Sequence, residues 1–156
     1  MIDDPASALI AEHVRRFMET MGLDDVHLEC ESVESGALRI SIVSQEFGNM
    51  LIGVQGANLN ALQHVIRCVL RKHFDEQVHI IVDVNGYRVR RERNLLGFAE
   101  EIAKRAQKTG RPVTLSPMNA LDRRTIHTAL AGRKEVVTES TGDGLQRRVV
   151  VRPVFL

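Results

Sequence analysis

Apolar residues recur near the start of the chain at Ile10, Val14, Phe17 and Met21, a spacing that predicts an amphipathic helix. Asp4 and Pro5 supply its N-cap and first-turn proline, and Gly22 a left-handed stop. The period then falls to two, weakly over Val26–Val33 and cleanly over Leu38-Arg39-Ile40-Ser41-Ile42, so two strands follow, with a turn at Gly36 between them. After a short helical stretch, Leu59, Leu62, Ile66, Val69 and Leu70 return to helical spacing, which leaves Asn60, His64, Arg67 and Arg71 on another face. Val78–Val84 is rich in β-branched residues and reads as a third strand.

Asn85-Gly86 is a turn signal. The basic run 87–93 leads into a helix with Leu95, Ala99, Ile102 and Ala106 inward, ending near Gly110. Pro112–Leu115 reads as a short strand. Ser116-Pro117 then repeats the cap-then-proline signature and opens a helix with Leu121, Ile126, Ala129 and Leu130 towards a core. Glu135–Thr138 and Arg148–Val151 are predicted strands, joined by the turn residues Thr141-Gly142-Asp143-Gly144. The pattern predicts an α+β protein of two domains, 1–86 and 87–156.

Composition sharpens this. Of 156 residues, 44% are apolar and 26% charged, as in ordinary globular chains. Aromatic residues are 4%, with no Trp and one Tyr, which argues against a binding surface of stacked aromatic rings. The net charge of +1 hides a polarity: residues 1–86 hold 6 Lys/Arg and 13 Asp/Glu, and residues 87–156 hold 15 and 7. A basic carboxyl-terminal half suits an anionic partner. Cys30 and Cys68 match no metal or redox spacing and read as buried thiols in a reducing compartment. The acidic amino terminus is unlike a signal peptide, and no apolar run approaches the roughly 20 residues that span a bilayer. A soluble, cytoplasmic protein without membrane insertion is expected.

Two constellations carry chemistry. Gly53-Val54-Gln55-Gly56 follows Ile52 and precedes the long helix, with Asn58 placed to cap it. Glycines at a helix break let a sugar-phosphate backbone approach the main chain, and the restarted helix offers N–H groups and a positive dipole end. The plain alternative is an ordinary helix–turn–helix corner. In the later helix, Arg123 and His127 are four apart and share an exposed face, flanked by Arg124. Arg can fork onto phosphate, and His can donate to a phosphate oxygen or lie against a base. Arg148 and Arg152 share a face with Val150, either extending that phosphate track or protecting an edge strand with charge.

The order helix–strand–strand–helix–glycine loop–helix–strand resembles a type II KH domain. The setting of Arg123-Arg124-Thr125-Ile126-His127, followed by two strands, resembles the small Arg-x-x-x-His domain that binds single-stranded nucleic acid. Together they resemble the Jag family of bacterial KH proteins over essentially the whole chain, Asp83–Arg88 looking like that family's domain junction. The resemblance implies a single-stranded RNA-binding protein without catalytic residues, cofactor or metal, acting as a post-transcriptional regulator or RNA chaperone linked to cell-envelope or division control. Its contacts would come from Ile52, Gly53, Val54, Gln55, Gly56, Asn58 and Arg67 in the first domain. In the second they would come from Arg123, Arg124, His127, Arg148 and Arg152. It also implies single-stranded DNA, a second small KH protein or another copy of the chain as partners. Val54 and Gln55 are uncharged where the family often has a basic residue, and the family's frequent amino-terminal domain has no counterpart in these residues. The acidic first half makes the Arg123–His127 half the expected main source of affinity. A protein-partner adaptor, joined to another KH protein or associated with a membrane insertase and binding RNA only secondarily, is the second reading. The third, phosphodiester cleavage with His127 as base and Arg123 as anion clamp, lacks a second nearby His, a nucleophile motif and a metal cluster.

Overall fold

The alternation of Leu38, Ile40 and Ile42 organises the first half of the computed structural model, which describes residues 5–33, 37–73 and 79–154. These residues lie on β2 (Leu38–Val43), the central strand of a sheet ordered β1-β2-β3. β1 (His27–Ser32) is antiparallel to β2, and β3 (Ile80–Val84) is parallel to it, with Leu38, Ile40 and Ile42 beside Ile80, Val82 and Val84. Every second side chain therefore points to one buried face. That face packs on α1 (Pro5–Thr20) through Ile10, Val14 and Met18 and on α3 (Ala57–Leu70) through Leu59, Leu62, Ile66 and Leu70.

Some inward positions differ from expectation. Met18 is buried, Phe17 only partly so, and Met21 is exposed. The reason is the stop at Gly22, whose φ of 73° turns the chain after Met21. Leu23 N–H then reaches back to the Met18 carbonyl and Gly22 N–H to the Glu19 carbonyl, a Schellman closure that brings Leu23 over Met18. Val69 is half-buried, and Cys68 is exposed rather than buried. Cys30 is half-buried, and that burial raises its thiol above the ordinary range. The expected contributions of Asp4, Gly36 and Val78 fall outside the described residues.

The chain divides into two compact units, Met1–Arg88 and Val89–Leu156. The first has the element order compatible with the type II KH arrangement, with α2 (Gly48–Ile52) before the glycine loop. α4 (Tyr87–Thr109) starts with the last two residues of the first unit, and its remainder belongs to the second, where it buries Leu95, Ala99, Ile102, Ala103 and Ala106. The sheet of the second unit runs β4-β6-β5, from β4 (Val113–Thr114), β5 (Val136–Thr141) and β6 (Arg148–Pro153), all antiparallel. Ile126 and Leu130 of α5 (Ala120–Leu130) complete the core with Val136, Val149 and Val151. Among the described residues no helix is long and apolar enough to cross a membrane.

Three readings fail here. α5 starts at Asn119, whose side chain accepts from Asp122 N–H at 2.9 Å, and not at Ser116-Pro117. Leu121 is exposed, while Asp122 is buried in its place. β6 is the central strand, so edge protection does not explain its arginines.

Candidate nucleic-acid interface

The glycine loop is a true helix break. α2 ends at Ile52, and Gly53 (φ 67°, ψ −177°), Gln55 (φ 52°, ψ 27°) and Gly56 (φ 79°, ψ 17°) all lie at positive φ before α3 begins. Positive φ favours glycine at both ends. Packing adds a second reason. A Cβ on Gly53 would stand 2.5 Å from Asn58 Cγ, and one on Gly56 would stand 2.9 Å from Tyr87 Cε1. The space the glycines leave is thus filled by the protein's own side chains, which corrects the expectation of bare main chain open to a sugar-phosphate.

What faces outward is the tip between them. Val54 is 83% exposed and Gln55 is exposed, while Ile52 and Gly56 are buried. Among the described residues no side chain caps the start of α3. Asn58 is not its cap: it lies inside the helix and donates Nδ2–H to the Met50 carbonyl at 2.7 Å, tying off the end of α2. Arg67 is half-buried and donates from Nη2 to the Ile80 carbonyl at 3.2 Å, which commits part of its fork to β3.

The loop rests on a polar bracket that the sequence pattern did not reveal. Asp25 accepts from the N–H groups of Gln45 (3.1 Å) and Glu46 (3.0 Å) and from Ser44 Oγ (2.8 Å). These donors, Glu46 N–H foremost, hold its carboxyl below the ordinary range. Asn85, at φ 51°, accepts from Ser44 N–H (3.1 Å) and donates to the Ser44 carbonyl (2.7 Å). Gly48 is glycine because its Cβ would meet Asn85 Nδ2 at 2.3 Å. Residues from both sides of the sheet sequence therefore aim α2 and the loop.

In the second unit, α5 is oriented by an ion pair whose carboxylate is buried and whose guanidinium is half-buried. Arg91 of α4 donates from Nη2 to Asp122 Oδ2 at 2.8 Å and from Nε at 3.2 Å. The next residue, Arg123, is half-buried, with Nη1 fixed on the Met118 carbonyl at 2.8 Å. His127 is not the exposed ring that helical spacing suggested. Its Nδ1 lies 2.6 Å from Thr138 Oγ1 and its Nε2 2.8 Å from Ser140 Oγ, both on β5. Burial, reinforced by the Arg123 charge, lowers its pKa below the ordinary imidazole value. Arg124 is exposed, and its side chain forms no hydrogen bond or ion pair among the described residues.

Thr138 and Ser140 are the residues that sequence reasoning missed. Their two-residue spacing puts them on one face of a strand, which is a usable signal only once β5 is known to extend to Thr141. A neutral imidazole has one N–H and one lone pair. One hydroxyl therefore donates to the ring, and the other accepts from it and keeps its own O–H for an outside acceptor. A protonated ring donates to both and frees both hydroxyl protons. The cluster is a prearranged set of donors beside a guanidinium, suited to phosphate or ribose oxygens.

The β6 arginines are less available. Arg148 donates from Nε and Nη2 to Gln146 O and Oε1 at 3.0 and 3.1 Å. Arg152 pairs with Glu139, Nη2 to Oε1 at 2.5 Å, across the β5–β6 ladder. Its charge is matched locally.

Residues 93–153 match the R-three-H domain family, the family named for the Arg-x-x-x-His motif. The chain is similar to the RNA-binding protein KhpB of Clostridium symbiosum, 34% identical over 127 residues, which are 81% of this chain and 56% of that protein. It is 31% identical to KhpB of Bacillus subtilis (strain 168) over 111 residues, 70% of this chain and 53% of that protein. With KhpB of Lactiplantibacillus plantarum it shares 38% over 102 residues, 65% of this chain and 32% of that protein. The chain spans about half the length, or less, of these curated relatives. With the Arg-x-x-x-His domain matched on the unit that holds Arg123 and His127, and these relatives aligned over most of its residues, the chain belongs to the KhpB (Jag) family.

Proposed function

We propose that the chain is a non-catalytic, single-stranded RNA-binding protein of two modules, a type II KH domain and an Arg-x-x-x-His domain. The observation that carries the reading is the α5–β5 cluster. Arg123 is fixed on the Met118 carbonyl and both ring nitrogens of His127 are held by Thr138 and Ser140, so the remaining N–H groups of the guanidinium and the spare hydroxyl proton are prearranged, and the Arg124 side chain stands beside them without a partner among the described residues. A cluster of hydroxyls, imidazole and guanidinium, with each ring nitrogen held by a β5 hydroxyl, presents donors suited to recognition of a phosphate or ribose. The KhpB relatives are named RNA-binding proteins, which supports the same reading. In the first unit the loop tip at Val54 and Gln55 and the uncapped start of α3 offer a weaker, uncharged site. Two weak modules on one chain gain from effective concentration when both engage one strand. The same proposal extends to post-transcriptional control of envelope or division genes, a role that the family resemblance supports.

The test is fluorescence anisotropy with a single-stranded RNA across a salt series. Arg124→Gln and Ser140→Ala should each weaken binding about 3- to 10-fold, as expected for loss of one charge-assisted or hydroxyl contact. Affinity unmoved by both changes, or by salt, refutes the reading. RNA left intact after long incubation is the expected result, and its cleavage would show an enzyme instead.

A further inference from the structure

The cations of the α5–β5 site are largely committed, as Arg123, Arg148 and Arg152 each hold a protein acceptor. The solvent side of α4 is different. Opposite the buried Leu95, Ala99, Ile102 and Ala106 runs a row of Arg93, Gly97, Glu101, Lys104 and Lys108, all exposed. Steps of three and four residues place them on one strip of the helix. Among the described residues, Arg93, Lys104 and Lys108 have no hydrogen-bond or ion-pair partner. Glu101 is the single acid of the strip, and its neighbour Glu100 is drawn away to Arg133.

Gly97 sits mid-strip. Its φ is not positive, and a Cβ there would meet nothing within 4 Å. Neither backbone conformation nor internal packing calls for glycine, and alanine is the more stable helix residue. A residue without a side chain between cations lets another backbone lie close to the helix. From Arg93 to Lys108 the strip is about 22 Å long at the rise of an α-helix. A strip one residue wide, cationic at both ends and bare at its middle, fits a linear polyanion better than the broad surface of a folded acidic protein.

We infer that the outer face of α4 is a third nucleic-acid contact, a track for the phosphates of a single strand that also engages the α5–β5 cluster. The inference rests on the RNA-binding reading above. It is tested on the full chain by comparing the wild type with the triple variant R93Q/K104Q/K108Q, in which Gln keeps the helix. The readout is the slope of log Kd against log salt for single-stranded RNA. Loss of three phosphate contacts should make that slope shallower by about 2. Gly97→Gln should raise the melting temperature yet weaken binding, because the new side chain fills the approach. An unchanged slope in the triple variant, with wild-type binding intact, overturns this inference alone. Wild type without salt-dependent RNA binding overturns the RNA reading and the track together. RNA binding unchanged while an acidic protein partner is lost assigns the strip to protein and likewise overturns it.

Discussion

Gly56 and Val54 are two residues apart and should fail in opposite ways. At φ 79°, ψ 17°, Gly56 is left-handed, and its Cβ position lies against the Tyr87 ring at 2.9 Å. Gly56→Ala therefore costs about 1–2 kcal/mol for the left-handed backbone, with about 1 kcal/mol more to displace the ring. A total near 2–3 kcal/mol in a unit of this size corresponds to a loss of about 10–20 °C in melting temperature. Val54 is 83% exposed, so Val54→Asp should leave stability within about 0.5 kcal/mol. It instead sets a negative charge at the tip. Against a phosphate about 6 Å away, near the water limit of screening, that is about 0.7 kcal/mol, or roughly threefold in Kd. Scanning calorimetry, with hydrogen exchange at α3 reporting on the first unit, measures the first effect, and RNA anisotropy the second. If Gly56→Ala melts within about 2 °C of wild type, the account of the glycine is wrong. If Val54→Asp binds RNA as wild type does, the tip is not part of the interface.

Asp122→Ala should destabilise the second unit by about 2 kcal/mol in urea unfolding; breaking a fully buried pair costs more, but Arg91 keeps 30% of its side chain in water. His127 should couple RNA affinity to pH. Its pKa is depressed, so the ring is neutral at pH 7, and binding should strengthen as pH falls below the ordinary imidazole value of about 6.5, because protonation frees a second hydroxyl proton and adds charge. His127→Gln should flatten that profile in anisotropy titrations, and an equally steep profile in the variant would refute the assignment. The same depression works against the fold in acid. The unfolded chain binds the proton first, so the stability from neutral His127 is present above the ordinary value and lost as pH falls through the lowered one. Asp25, likewise depressed, contributes stability above the ordinary carboxylate pKa that is lost below it, so Asp25→Asn should make acid unfolding of the first unit less steep by circular dichroism.

Periodicity along the chain was enough to place α1, β2, α3, α4 and the glycine break, because helix and strand spacing are written in neighbouring residues and each apolar stripe must find a core. It also located Arg123 and His127 four apart on one helix. It could not say what those side chains touch. His127 meets Thr138 and Ser140, 11 and 13 positions away, only because β5 runs on to Thr141 and lies beside α5. Leu121 and Asp122 exchanged their expected places because Arg91, 31 residues earlier, supplies a partner that makes burial of a carboxylate tolerable. Asn119 could have been chosen as the cap from sequence, since its side chain and Asp122 stand at capping distance, but the nearby Ser116-Pro117 gave a competing signal. The roles of Asn58, Tyr87 and Asn85 around the glycines were likewise decided by tertiary packing. Local order is a property of adjacent residues; partners for polar groups are chosen across space, where desolvation leaves a buried donor or acceptor no alternative but the neighbour that the fold brings to it.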